Sequence, residues 1–183
     1  MKRSRQKKKS EALGPPENQG DKPSQALPGK PSKTVIKVSQ TCGLLGVNVV
    51  ECSGRVGVVQ VGDQIQDLDL QMKFGVGRPP EAQHFLAAVG LELTCRAKAD
   101  PARVLATMSC QIALRYLVPD PVLFGSLSDQ DLGEFAIHIG SRHGWPYLRQ
   151  FCQDLAQRMM LPTLLLPPLA ATLLRSAQAK PGS

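Results

Sequence analysis

The chain has 183 residues, 42% of them hydrophobic and 4% aromatic, and a formal net charge of +7. That length suits one domain with a tail. Residues 1–37 carry ten Lys/Arg against Glu11, Glu17 and Asp21, whereas the rest of the chain balances its basic and acidic side chains, so overall charge argues for nucleic acid only through the tail.

The tail opens MKRSRQKKKS, with six Lys/Arg in its first nine residues. Gly, Pro, Ser, Gln and Lys follow, with isolated apolar residues. Residues 1–33 cannot bury enough surface to offset ordering entropy and are expected to be disordered. The basic run at residues 2–9 could hold nucleic acid or an acidic membrane surface through phosphate contacts. It contains no aromatic residue to stack on bases, and a solvated tail is the plainer reading.

Thr34–Val50 is rich in β-branched residues, which predicts a first strand, broken near Gly43 and Gly46. Val56–Val61 (VGVVQV) extends or flanks it. Three cleaner runs follow. Leu68, Leu70, Met72 and Phe74 alternate with Asp67, Asp69, Gln71 and Lys73. Val89, Leu91, Leu93, Cys95 and Ala97 alternate with polar residues or glycine, and after an Asp100-Pro101 turn so do Val104 through Tyr116. Period two over such lengths predicts antiparallel strands with one buried face. Asp67 and Asp69 mark the opposite face, which should meet water or a partner that tolerates polarity.

Pro119 and Pro121 should end the sheet, Leu123 and Phe124 fall in the connector, and helical spacing takes over from Ser128. Ser128 is a candidate N-cap with Asp131 three residues on. Leu132, Phe135, Ala136 and Ile139 form a stripe that Gly140 should stop, giving a loop at Ser141–Trp145. Pro146 then suits a helix's first turn. Leu148, Phe151, Cys152, Leu155 and Met159 make its buried stripe, Pro162 ends it, LPTLLLPPL should run extended, and Leu169–Ala177 forms a last short helix. The fold class is therefore α+β: a four-stranded antiparallel meander followed by two to three C-terminal helices. The domain spans 34–178, with a short flexible end at 179–183.

Chemistry finds little footing. His84, His138 and His143 share no helical face, so no metal set is expected. Gly140-Ser141-Arg142-His143-Gly144 lacks the strand-to-helix context of a nucleophile elbow, and Gly75-Val76-Gly77 lacks a third glycine. Asp67 and Asp69 read as solvated strand charges rather than a catalytic carboxylate pair. No catalytic residue, metal or cofactor is expected. Five cysteines (Cys42, Cys52, Cys95, Cys110, Cys152) without a CxxC pair suit reduced, largely buried thiols in the cytoplasm. No apolar stretch fits a secretory signal or a membrane span. What remains is apolar surface. Trp145, Tyr147 and Phe124 either fill the core or line a groove at the helix-joining loop, where large amphipathic aromatics suit binding.

On these residues the chain resembles the SecB export chaperones. Trp145-Pro146-Tyr147-Leu148-Arg149 matches the family's aromatic-Pro-Tyr segment, and Leu161-Pro162 through Leu166-Pro167 its proline-stopped leucine run. Asp67-Leu68-Asp69-Leu70 looks like its second-strand signature. The resemblance implies an ATP-independent holdase for unfolded, export-bound chains, assembled as a homotetramer (a dimer of dimers). It implies client contacts near Phe124, Trp145 and Tyr147. It also implies SecA as a partner, although the basic N-terminal run and the ending RSAQAKPGS depart from the acidic character of that family. A SecB-like guardian of an antitoxin is the related alternative. A nucleic-acid or ribosome-associated adaptor using the tail is the unrelated one.

Overall fold

The computed structural model describes residues 29–79 and 83–178, without the side chains of 66, 67 and 174–178. The expected tail, up to residue 28, and the end at 179–183 lie outside the described residues. The described part runs α1 (Lys33–Thr41), β1 (Gly43–Val56), β2 (Ile65–Gly77), β3 (His84–Ala97) and β4 (Val104–Leu117), then α2 (Pro121–Ser126), α3 (Asp129–Phe135), a π-helical turn (Ala136–Gly140), α4 (Ser141–Arg158) and α5 (Leu169–Gln178).

All four strands are antiparallel, as the alternation predicts, in the order β1-β4-β3-β2. β2, β3 and β4 form the expected meander, while β1 crosses over to lie beside β4, which is Greek-key connectivity. The crossover, residues 57–64, is held against the β3–β4 turn. The Arg103 guanidinium grips Asp63 with both nitrogens (3.0 and 2.5 Å) and donates to the Val58 carbonyl (3.1 Å). Lys98 N–H donates to the Gln64 carbonyl at 2.8 Å. At Gly57 the chain passes so near β4 that a Cβ would stand 2.4 Å from the Val104 carbonyl oxygen.

The first predicted strand is half helix. Residues 33–41 form α1 because Val35 and Val38, three apart, both bury against Leu127, Leu132 and Phe135. Ser32 caps the helix by accepting from Val35 N–H (3.2 Å), and its own N–H donates to Glu134 (2.7 Å). A tertiary contact thus overrides the β-propensity of valine and isoleucine.

The second correction is the missing loop. α3, the π turn and α4 are contiguous from Asp129 to Arg158. Leu132, Ala136, Gly140, Gly144, Leu148, Cys152 and Ala156 are all buried, each four residues from the last. Four residues overshoot one α-helical turn by about 40°, and the wider π turn absorbs part of that drift. Gly140 and Gly144 do not stop the helix, and Gly144 lets it lie close on the sheet. A Cβ on Gly144 would meet Ile112 Cδ1 at 3.0 Å, and one on Gly140 would meet Ala87 Cβ at 3.4 Å. Pro146 is tolerated inside α4 because it faces solvent, where the freed carbonyl of exposed Arg142 can be hydrated. Phe85, Tyr116 and Phe135, with ring centroids 4.9–5.4 Å apart, tie the ends of β3 and β4 to α3.

The hydrogen bonds from Arg103, with one from the Gln60 backbone, hold the Asp63 carboxyl below its ordinary range. A carboxylate depressed in the fold contributes stability above its unfolded value, near pH 4, and loses it as pH falls through the folded value. Urea midpoints measured from pH 6 down to pH 2 are expected to fall less steeply in Asp63→Asn than in wild type, and to lie lower at pH 6.

Candidate functional site

Among the described residues, helices cover one face of the sheet, and only part of it. α4 lies over β3 and β4 and reaches β1 at one point, where Gly54 admits Leu155 and Met159. Among the described residues, the rest of β1 is largely uncovered, with Val47 half-buried against the core. Two bulges, at Leu45 and Val50, reset its phase. In consequence Leu44, Val47, Val49, Cys52, Gly54 and Val56 all fall on the helix side, opposite the buried β4 residues Tyr116, Leu114, Ile112, Cys110, Met108 and Ala106. Val49 nevertheless keeps 46% of its surface exposed, and Leu44 and Val56 are exposed too. Along α4, His143, Tyr147, Phe151 and Leu155 succeed one another at four-residue spacing. His143 Nδ1 lies 2.9 Å from the Tyr116 hydroxyl opposite Leu44, while Leu155 meets Gly54. This flank of α4 therefore runs beside the largely uncovered strand, and the two enclose an apolar trough open to solvent.

The trough continues past Val56 into a groove of about 460 Å³ whose walls are mainly the apolar Val56, Val59, Val61, Met159, Met160 and Leu161, with Gln60 and Asp63 also at its lining. Val58 beside it is 70% exposed. α4 ends here in a Schellman cap: Leu161 N–H donates to the Ala156 carbonyl and Met160 N–H to that of Gln157, both at 3.0 Å. The left-handed position of this cap usually belongs to glycine. Here it is Met160, at φ 54° and 88% exposed. A thioether side chain held in a disfavoured backbone region and pointed at water is a functional signal.

The aromatic residues singled out in sequence do not stand side by side. Trp145 is 8% exposed and belongs to the core, whereas Tyr147 is 44% exposed on the trough flank. Two residues apart on a helix means opposite flanks, about 200° around the axis. Phe124 is half-buried on α2 under the Arg78 guanidinium, 4.9 Å from its ring centroid. Asp69 is exposed on the open sheet face opposite Thr94; Asp67 pairs with Arg96 in register, but its side chain lies outside the described residues. His143, expected in a loop, is on α4, and His138 is in the π turn, where burial lowers its pKa. Among the described residues no group of three or more His, Cys, Asp or Glu side chains is placed to hold a metal ion, and no helix is long and apolar enough to cross a membrane.

Among solved structures, the chain is similar to the Mycobacterium tuberculosis Rv1957 SecB-like chaperone, solved in complex with a ChAD peptide from the Rv1956 HigA1 antitoxin. The match has a TM-score of 0.62 and covers 74% of this chain and 96% of that one, at 18% identity. The fold is SecB-like. A Streptococcus agalactiae protein of unknown function is also matched, at a TM-score of 0.34 and 10% identity, over 69% of this chain and 96% of that one. No known family profile and no curated protein matches the sequence.

Within this SecB-like fold, sequence reasoning missed the valines of β1 and the methionines ending α4. The exposed valines were hidden by the two bulges, which erase simple alternation. The signal that could have found Met159-Met160 is a helix end without glycine. The division between Trp145 and Tyr147 has a measurable consequence. Trp145→Ala should lower unfolding free energy by about 3–5 kcal/mol as a core truncation, while Tyr147→Ala should lower it by under ~1 kcal/mol, both by urea titration followed by circular dichroism.

Proposed function

We propose that this chain is an ATP-independent holdase that binds unfolded polypeptides along the β1–α4 trough and its extension at Met160, with protein export as its service. The observation that supports this reading is the continuous apolar surface from Leu44 along β1 to Val58, Met159 and Met160. Folded monomers rarely leave contiguous apolar patches of this kind uncovered. An extended, aromatic-rich or aliphatic segment can lay alternate side chains into such a trough without any chemistry. Tyr147 contributes the amphipathic aromatic of the site. Phe124 and Trp145 act at a remove, through the helices they anchor. The cytoplasm, where unfolded export clients are held, is the matching compartment.

The edge of β1, fourteen residues long and paired among the described residues with β4 alone, supports assembly through strand pairing with a second copy, and from there a dimer of dimers. Side chains stand perpendicular to the sheet, so edge pairing and trough binding use different parts of β1. Light scattering should give an even oligomer for wild type and a smaller species for Val50→Lys, which places a charge on the edge. A wild-type monomer at micromolar concentration would sink this part of the reading.

The decisive experiment follows aggregation of a chemically unfolded precursor, without nucleotide, in low and high salt. Wild type should suppress it in both. Met160→Gly suits the left-handed backbone and should fold at least as well as wild type, yet it should protect less, and less again when combined with Tyr147→Ala. Absence of protection by wild type, or its loss on deleting residues 2–9 alone, would instead favour the adaptor reading through the basic tail. The peptide-bound Rv1957 structure favours a second version, a SecB-like chaperone devoted to an antitoxin. That version predicts one tightly held client segment, which unrelated unfolded proteins fail to displace. SecA delivery is tested separately, by co-sedimentation with the motor.

A further inference from the structure

β1 carries the one exposed cysteine of the five. Cys52 is exposed, while Cys95, Cys110 and Cys152 are buried and Cys42 is half-buried. In the antiparallel register Cys52 stands directly across from Cys110 on β4, so both side chains leave the sheet on the same face. The bulge at Val50 is what brings this about, because it moves the strand's phase by one residue. Opposed residues of an antiparallel pair have Cα atoms about 4.5–5.5 Å apart, inside the roughly 4.4–6.8 Å that a disulfide spans. α4 reaches the same spot: Leu155 and Met159 descend on Gly54, two residues along β1, and Cys152 lies one turn earlier on that helix. Burial raises the thiols of Cys110 and Cys152, and the sulfur of Cys52 is near enough to both to add to it.

We propose that Cys52 and Cys110 form a dithiol–disulfide site, in which Cys52 meets a small-molecule disulfide oxidant and Cys110 resolves the adduct. The Cys52 thiolate attacks one sulfur of the oxidant; a protein–small-molecule disulfide forms, the oxidant's own S–S bond breaks, and its second half leaves as a thiolate that takes a proton from water. Cys110, its proton lost to solvent, then attacks the Cys52 sulfur and expels the remaining half as a thiol. In sum, two protein thiols are oxidised and one external disulfide is reduced to two thiols. Burial pushes the Cys110 thiol up, which keeps its thiolate scarce. The bond staples the edge strand, which among the described residues pairs with β4 alone, to the sheet. Nothing in this site depends on the client reading, and its test does not measure client binding.

The native full chain is incubated with oxidised glutathione, its remaining thiols are alkylated, and the digest is mapped by mass spectrometry. The expected product is a Cys52–Cys110 linked peptide, preceded in time by glutathione on Cys52, with two glutathione thiols released per link. Cys110→Ala should stop at the mixed disulfide, and Cys52→Ser should slow glutathione reduction at least ~10-fold, because the remaining thiols are buried or half-buried. The proposal is overturned if native Cys52 stays unmodified, if the link forms only in denaturant, or if it joins Cys52 to Cys152 or to a second chain. The wild-type map decides the matter even if Cys110→Ala fails to fold.

Discussion

α4 rests on β3 and β4 at a distance set chiefly by what Gly144 lacks. A Cβ there would stand 3.0 Å from Ile112 Cδ1, tighter than ordinary packing, so a side chain would displace Ile112 or lift the helix, whereas a Cβ on Gly140 would make only ordinary contact with Ala87. With Gly144 in place, the i+4 ladder from Leu132 to Ala156 presses flat on the two central strands. That close fit also limits its breadth. One helix about 10 Å across covers roughly two strands spaced about 4.8 Å apart, so β1 is left beyond its edge.

The largely uncovered strand would be a liability in a simple hairpin sheet, where edges invite aggregation. Here the crossover makes it part of a defined surface. Arg103 and Asp63 hold residues 57–64 against the β3–β4 turn, which lays Val58, Val59 and Val61 beside the end of α4 instead of leaving them to roam. The Schellman cap turns Met160 out toward the same place. Fold topology, one ion pair and one strained residue therefore combine to make a single apolar path, and Cys52 with Cys110 lies midway along it.

Much of the architecture was legible in the residues. The alternation holds along most of β2, β3 and β4 because each strand has one mainly buried face and its register shifts fall near its ends. The exceptions are Gly90, buried between Val89 and Leu91, and Leu105, buried beside Ala106 at a register shift. The Ser128–Asp131 capping box and the α5 segment formed where their local signals stood. Leu164 and Leu166 bury while Leu165 does not, as an extended crossing requires. The candidate site was less legible. Tyr147 was in view, but Trp145 was grouped with it on proximity in sequence, whereas helical geometry sends the two rings to opposite flanks.

By itself the sequence determined the α+β class, the antiparallel pairing and the concentration of apolar residues near the end of the domain, because periods of two and near four are local properties of the chain. Tertiary structure decided the rest. Whether valines at 35 and 38 become helix depended on α3 waiting to bury them. Whether glycine ends a helix or brings it onto a sheet depended on what lay beneath. Which face of β1 meets the helices depended on two bulges that only pairing with β4 defines. Each of these is a contact between residues far apart in the chain, and no local pattern encodes it.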